Sequence, residues 1–306
     1  MAIYDIAIIG GGPAGLVAAV YARRAGKSVL VIEKATFGGQ ITYSPKVENI
    51  PGFVSLTGNE FAEKLVEQAL ELGTEVEAAE VIALRDNGET KTVVTDSCEH
   101  FEARAVIIAT GARHRLLGLD NEERLIGQGI SFCAVCDGAF YADKVVGVVG
   151  GGNSALQEAL LLSELARKVY VIQNLDDLTG EIALREQLYA KDNVEILLGT
   201  VVDSLRGENE LRAVTLKTLA SGAARTLALD GLFIAIGLVP QNEPFAKLVE
   251  LDDRGYVCAD ENCATSVPGV FVAGDSRHKR IRQVTTASAD GAVAALAACD
   301  YVDSLK

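Results

Sequence analysis

Cys133 and Cys136, two residues apart in the hexapeptide CAVCDG, are the residues of this chain best suited to redox chemistry. If Ala134 or Val135 begins a helical turn, the two thiols face each other and the helix start lowers a thiolate pKa. Asp137 follows directly, where a carboxylic acid can pass a proton as thiolate forms and leaves. The rival chemistry is a zinc half-site, which needs two more ligands. Cys258 and Cys263 are spaced C-x4-C, not an ordinary knuckle spacing, and none of His100, His114 and His278 pairs with a cysteine. A redox dithiol is therefore expected, with no metal. Cys98, Cys258, Cys263 and Cys299 are expected to be passive small residues.

A dithiol needs a source of electrons, and CAVCDG lies between two glycine-rich loops. In the first, GGGPAG, the residues Gly10, Gly12 and Gly15 give G-x-G-x-x-G between an apolar run and a helical pattern. Gly10 suits the tight turn, Gly12 the approach of a pyrophosphate, and Gly15 close packing of helix on strand. Pro13 and Ala14 lie at the helix start, whose free N–H groups suit a diphosphate. Glu33 ends the next apolar run, where an acid accepts bonds from adenosine ribose hydroxyls.

The second loop, GGGNSA, places Gly150, Gly152, Asn153 and Ala155 in the same frame, a candidate NAD site. The segment after its second strand, Gln173 to Thr179, reads QNLDDLT, and no arginine or lysine lies from Tyr170 to Leu184. A 2′-phosphate calls for arginine nearby, so NADPH is disfavoured. NADH stays open, although Gln173 is not the acid that usually reads a free ribose diol. A domain that has kept the fold and lost nicotinamide binding also stays open. Two nucleotide-binding folds flanking a C-x-x-C let a flavin hand electrons to a disulfide.

These motifs must be carried by repeated βαβ units. Ile6–Ile9, Ala14–Ala25 and Ser28–Ile32 read as strand, helix and strand, and the pattern returns at Lys144–Val149, Ser154–Leu165 and Lys168–Ile172. Ala105–Ala112 and Gly269–Asp275 read as strands entering functional turns, and an alanine-rich helix is expected from about Thr285 to Val302. The fold class is α/β, with two Rossmann-like dinucleotide-binding domains, the second inserted into the first. The expected boundaries are 1–115 plus 242–306 for the first dinucleotide-binding domain and 116–241 for the NAD(P)-binding-like domain carrying the dithiol. GLVPQNEP, Gly237 to Pro244, suits the return linker.

Composition bounds the rest. The chain has 306 residues, 49% of them hydrophobic, which predicts a compact globular protein of two domains. No apolar run reaches the roughly 18 residues of a membrane span. The opening MAIYDIAIIGGG lacks a basic n-region and a cleavage site, so a cytoplasmic location is expected. A net charge of −14 argues against nucleic-acid and anionic-membrane partners.

The chain closely resembles the low-molecular-weight thioredoxin reductase family of flavoprotein disulfide reductases. The match runs nearly end to end, through GGGPAG, the GGQ of Gly38 to Gln40, VENIPGF at Val47 to Phe53, ATGA at Ala109 to Ala112, CAVCDG, GGGNSA and AGDSRHKRIRQVTTASADGA at Ala273 to Ala292. The resemblance implies FAD on the first domain. It adds Gly39, Gln40, Asn49, Thr110 and Gly111 to the flavin site, with Asp275 on the ribityl chain and Arg282, Gln283 and Val284 along the flavin. It implies that Cys136 receives the electrons, that Cys133 attacks the disulfide of a thioredoxin-like partner, and that Asp137 is the acid/base. It also implies a homodimer and a rotating inserted domain, with hinges near Arg113–Leu117 and Gly237–Pro240.

NADPH-using members carry an H-R-R-x-x-x-R stretch where QNLDDLT stands here, so the resemblance is to a variant lacking those arginines. Such relatives include ferredoxin-dependent thioredoxin reductases, users of NADH, and dithiol oxidases that use oxygen. Arg277, His278, Lys279, Arg280 and Arg282 form the candidate docking face for an acidic ferredoxin. The alternatives carried beside the reductase are a flavin-dependent dithiol oxidase and a non-catalytic flavin redox sensor. Oxygen uptake with a dithiol substrate marks the first, and the intact CAVCDG with Asp137 argues against the second.

Overall fold

In the computed structural model, which describes residues 3–44 and 47–305, the apolar run before the first glycines is the strand Ile3–Ile9. The first two residues of the opening segment lie outside the described residues. Ile6, Ala7 and Ile8 are fully buried, as in a strand covered on both faces. The strand pairs in parallel with Val29–Glu33, Ile6 opposite Val29, and with His100–Ile108, Ile9 opposite Ile108. Helix Pro13–Arg24 joins the first two strands, with proline at its start, where a missing N–H costs no hydrogen bond. Gly26 closes it at φ +77°.

The chain divides into two compact units. One runs to Arg113 and resumes at Val239; the other is His114–Leu238. The first holds a seven-stranded sheet in the order Glu75–Ala78, Val29–Glu33, Ile3–Ile9, His100–Ile108, Lys91–Thr95, Val81–Asp86, with Val270–Val272 also pairing with His100–Ile108. Helix Val284–Ser304 packs on helix Pro13–Arg24 through small residues: a Cβ on Gly291 would come within 2.2 Å of the Ala14 carbonyl oxygen. The alanine richness of this helix thus serves a backbone-close contact, with Ala294, Ala295 and Ala298 fully buried.

The second unit holds a parallel sheet in the order Val194–Leu197, Lys168–Ile172, Val145–Val149, Gly231–Ile234, Ile130–Ser131. Helix Asn153–Leu165 follows its glycine loop. A three-stranded antiparallel sheet spans Thr200–Arg206, Ala213–Thr218 and Ala224–Ala228.

The proline-bearing return segment is more ordered than a linker. Leu238–Pro240 forms a two-stranded sheet with Ala112–His114. The Arg115 N–H donates to the Gly237 carbonyl at 3.0 Å, and the Gln241 N–H to that of Gly111 at 3.3 Å. Pro240, which has no N–H, occupies the end of its strand. No helix of the described residues is long and apolar enough to cross a membrane.

Candidate active site

Cys133 and Cys136 are joined as a disulfide, with Cα atoms 5.3 Å apart. Cys133 caps the one-turn helix Ala134–Asp137, and its carbonyl accepts the N–H groups of Cys136 and Asp137 at 3.2 and 3.0 Å. The turn expected at Ala134 is therefore what brings the sulfurs together. Gly138 lets the next turn seat on helix Asn153–Leu165, since a Cβ there would lie 3.3 Å from Leu165.

Asp137 is held by a residue the motif does not contain. Ser131 Oγ donates to Asp137 Oδ2 at 2.6 Å and accepts the Cys133 N–H at 3.1 Å. Asp137 Oδ1 is sealed from solvent without a hydrogen-bond partner. Burial pushes the Asp137 pKa up, and the Ser131 hydroxyl pulls part of it back. A second carboxyl, Glu158, reaches the same turn from helix Asn153–Leu165. Burial pushes it up to about 8, the Ala134 N–H opposes the rise, and the Asp137 charge adds to it. His114 stacks on Phe132 at 4.4 Å, and burial lowers its pKa to about 4, so it is neutral at ordinary pH.

In the first unit the predicted residues converge. Gly10, at φ +114°, has no room for a side chain: a Cβ would meet the Ala109 carbonyl oxygen at 2.3 Å. A Cβ on Gly15 would meet the Gly10 carbonyl oxygen at 1.9 Å. A Cβ on Gly12 would have nothing within 4 Å, which leaves space at the helix start beside Pro13 and Ala14. Glu33 Oε2 accepts the Gly11 N–H at 2.7 Å and Oε1 the Ala35 N–H at 2.8 Å, so its carboxylate is fixed at the loop with lone pairs to spare. A Cβ on Gly39 would lie 3.3 Å from the Gly12 Cα, which brings the GGQ turn to the loop.

The remaining residues of this group are linked through side chains. The Gln40 amide donates to the Ala112 carbonyl, beside Gly111. Asn49 Nδ2 donates to Gln283 Oε1 at 3.2 Å. Gln283 caps helix Val284–Ser304, and Val284 packs on the cluster of Val47, Ile50 and Phe61. Thr110 Oγ1 donates to Asn242 Oδ1 at 3.3 Å, and Asn242 Nδ2 donates to the Ser276 carbonyl at 3.0 Å, next to Asp275. Asp275 Oδ1 is buried without a hydrogen-bond partner, with Lys279 Nζ at 3.4 Å. Open space at Gly12 beside the helix start, and the free lone pairs of the fixed Glu33 carboxylate, are features a bound dinucleotide would satisfy, so these residues fit FAD.

Most of the basic cluster is engaged by side chains of the same unit, while Arg280 is exposed. Arg277 and Lys279 pair with Asp290 at 3.4 and 2.9 Å, and His278 with Asp252 at 2.6 Å. The Arg282 guanidinium lies 4.0 Å over the Tyr256 ring. Asp252 and Tyr256 come from an earlier segment, while Asp290 lies on the helix that follows the cluster.

The second loop repeats the first in its backbone. Gly150 is at φ +131°, and a Cβ there would meet the Ala235 carbonyl oxygen at 2.6 Å. At Gly152 the nearest atom to such a Cβ is Thr179 Oγ1 at 3.9 Å. Asn153 Oδ1 accepts the Glu181 N–H at 2.7 Å, and Ala155 is buried beneath the loop. Gln173 is also buried, its side chain over Gly151 and its amide donating to the Asp177 carbonyl at 3.3 Å. The first cation past the arginine-free window, Arg185, folds back onto it: Nη1 lies 3.1 Å from Asp177 Oδ2 and 3.2 Å from the Leu178 carbonyl.

Residues 4–291 match the model of the pyridine nucleotide-disulphide oxidoreductase family. Thioredoxin reductase from Listeria innocua is 40% identical over 305 residues, 99% of this chain and 95% of that protein. The Bacillus subtilis thioredoxin reductase is also 40% identical, over 99% of this chain and 96% of its own length. The crystal structure of thioredoxin reductase from Streptococcus pyogenes superposes with a TM-score of 0.94 at 38% identity, covering 99% of each chain. The chain belongs to the thioredoxin reductase branch of the pyridine nucleotide-disulphide oxidoreductases, and it is an oxidoreductase with a redox disulfide.

Proposed function

We propose that this member of the family is an FAD-dependent thioredoxin-disulfide reductase whose electron donor is not NADPH. The carrying observation is the Cys133–Cys136 disulfide with a buried acid, Asp137, tied to the backbone of Cys133 through Ser131. FAD, which the family implies, would be held by Gly10, Gly12, Pro13, Ala14, Gly15, Glu33, Gly39, Gln40, Asn49, Thr110, Gly111, Asp275, Arg282, Gln283 and Val284. Bound there, the flavin would supply an electron pair for the disulfide, and Cys136 would be the receiving sulfur.

The protein's own groups do the rest. Cys133 thiolate attacks the partner's disulfide, Asp137 protonates the leaving thiolate, and Cys136 displaces the reduced partner from Cys133. The partner is a thioredoxin, as the names of the relatives suggest. A cytoplasmic homodimer is part of the same proposal.

The donor reading rests on the second loop. Gly150, Gly152, Asn153 and Ala155 keep the backbone shape of a dinucleotide loop, which favours NADH. Arg185, the first cation after the arginine-free stretch, is already paired with Asp177. A ferredoxin docking face is less favoured, because four of the five clustered cations have partners within the protein.

Anaerobic bleaching of the flavin absorbance tests the donor. NADH should bleach it quickly and NADPH slowly. Bleaching by reduced ferredoxin alone makes the second loop a retained scaffold, and fast bleaching by NADPH overturns the donor proposal. Replacing Cys133 by Ser should leave flavin bound and abolish thioredoxin reduction; surviving activity overturns the dithiol mechanism.

A further inference from the structure

The mechanism above uses one carboxyl at the dithiol, and the fold puts two there. Glu158 follows Ala155 by one turn on helix Asn153–Leu165, so it shares the face that packs against Ala134. Ala134 begins, and Asp137 ends, the one-turn helix that Cys133 caps. Glu158 Oε2 and Asp137 Oδ1 are both sealed from solvent without a hydrogen-bond partner. A buried carboxylate oxygen without a donor is costly, and two such carboxyls facing one turn do not both ionise readily.

We propose that Glu158 and Asp137 form one carboxyl pair that keeps a single proton beside the Cys133–Cys136 disulfide, with Asp137 delivering that proton and Glu158 positioning and replenishing it. This rests on the disulfide-reductase reading. The step balances as follows from the reduced dithiol. Cys133 thiolate forms a bond to one partner sulfur, the partner's disulfide breaks, and the leaving thiolate takes the proton from Asp137. That proton is the pair's one proton, passed to Asp137 from Glu158, so both carboxyls are left ionised. Cys136 thiolate then bonds to Cys133, expelling the partner's second thiolate, which is protonated by water. The electron pair has passed from the Cys133–Cys136 dithiol to the partner, and Glu158 recovers its proton from water.

The surroundings suit a proton held into the neutral range. Burial and the Asp137 charge raise the Glu158 pKa to about 8, against the Ala134 N–H. Tyr141, on the turn after Asp137, is pushed up to about 12 by burial with Asp137 contributing, so it stays neutral. Of the cations on the neighbouring elements, Arg185 pairs with Asp177, Lys168 with Glu195 and Lys191 with Glu164, while Lys144 lies 5.3 Å over the Tyr141 ring.

Single-turnover oxidation of the reduced holoprotein by an oxidised, tryptophan-containing thioredoxin tests this. The chain has no tryptophan, so the fluorescence change belongs to the partner. In the wild type the rate should fall about tenfold per pH unit above the titration of the pair near 8. In E158Q, which has no proton to pass on, that alkaline limb should vanish and the rate at neutral pH should drop about tenfold. E158D should keep a limb, displaced along the pH axis. An E158Q protein with the wild-type limb and rate overturns the inference while leaving the reductase reading intact. Should E158Q not fold, an undisplaced E158D limb overturns it equally. A wild-type dithiol that thioredoxin does not oxidise overturns the reductase reading itself.

Discussion

Ser131 ties the acid of the site to the cysteine it serves: its hydroxyl donates to Asp137 at 2.6 Å and accepts the Cys133 N–H at 3.1 Å. Replacing Ser131 by Ala leaves a buried N–H and a buried carboxyl without partners, at a cost of about 1–3 kcal/mol in unfolding free energy. It also removes the group that holds the Asp137 pKa down against burial. The pH dependence of thioredoxin reduction should then move to higher pH. A profile that stays in place means that Ser131 acts on folding alone.

The two outer glycines of the first loop and the central one should fail differently. Ala at Gly15 would place its Cβ 1.9 Å from the Gly10 carbonyl oxygen, so the strand and helix must part. Its melting temperature should fall sharply even in the apoprotein. Ala at Gly12 meets nothing within 4 Å and sits at an ordinary φ of −79°. That variant should fold with a near-normal melting temperature and purify with little yellow colour, since the methyl fills space reserved for a pyrophosphate. A Gly12→Ala protein with full flavin content would remove that loop from the cofactor site.

Asp177 pairs with Arg185 beside the second loop, with Arg185 Nη1 at 3.1 Å from its carboxylate. Replacing Asp177 by Ser should free that guanidinium for a 2′-phosphate. Binding of 2′,5′-ADP, followed by calorimetry, should strengthen about tenfold, in line with a charge-assisted hydrogen bond of about 1.5–3 kcal/mol discounted for exposure. Equal binding by both proteins means that Arg185 cannot reach the phosphate.

What was legible in the sequence is what is local along the chain. The glycine spacings require particular backbone shapes, and Gly10, Gly15 and Gly150 have them. The dithiol turn follows from two cysteines and a helix start. Ser131, Glu158 and Asn242 were missed because their value lies in contacts across elements. Asn242 is 1% exposed and ties Thr110 to the turn carrying Asp275, yet in sequence it is one polar residue between two prolines. Glu158 had a usable signal, a carboxyl one turn from the buried Ala155. In the basic run at Arg277 to Arg282, the ion pairs with Asp290 and Asp252 are not legible from the order of the residues alone.

Glu158 also makes stability depend on pH, in a sign opposite to that of Asp5, Glu60, Asp86 and Asp252. Its ordinary value of 4.5 rises to about 8 in the fold, burial being the main cause. Between those limits the native state holds a proton that the unfolded chain has lost. The slope of unfolding free energy against pH is therefore negative there, and stability falls as pH rises from about 4.5 to about 8. At ~1.4 kcal/mol per pH unit, the loss is about 5 kcal/mol at most. Asp5, Glu60, Asp86 and Asp252, whose pKa values are lowered by hydrogen bonds, act in the opposite sense, and only below their unfolded values. The two windows therefore separate. Urea unfolding of wild type and Glu158→Gln from pH 5 to pH 9 should give a declining wild-type line and a flatter variant line, diverging until about pH 8. Parallel lines across that range would mean that Glu158 is ionised in the folded protein at neutral pH, and the carboxyl pair would hold no proton.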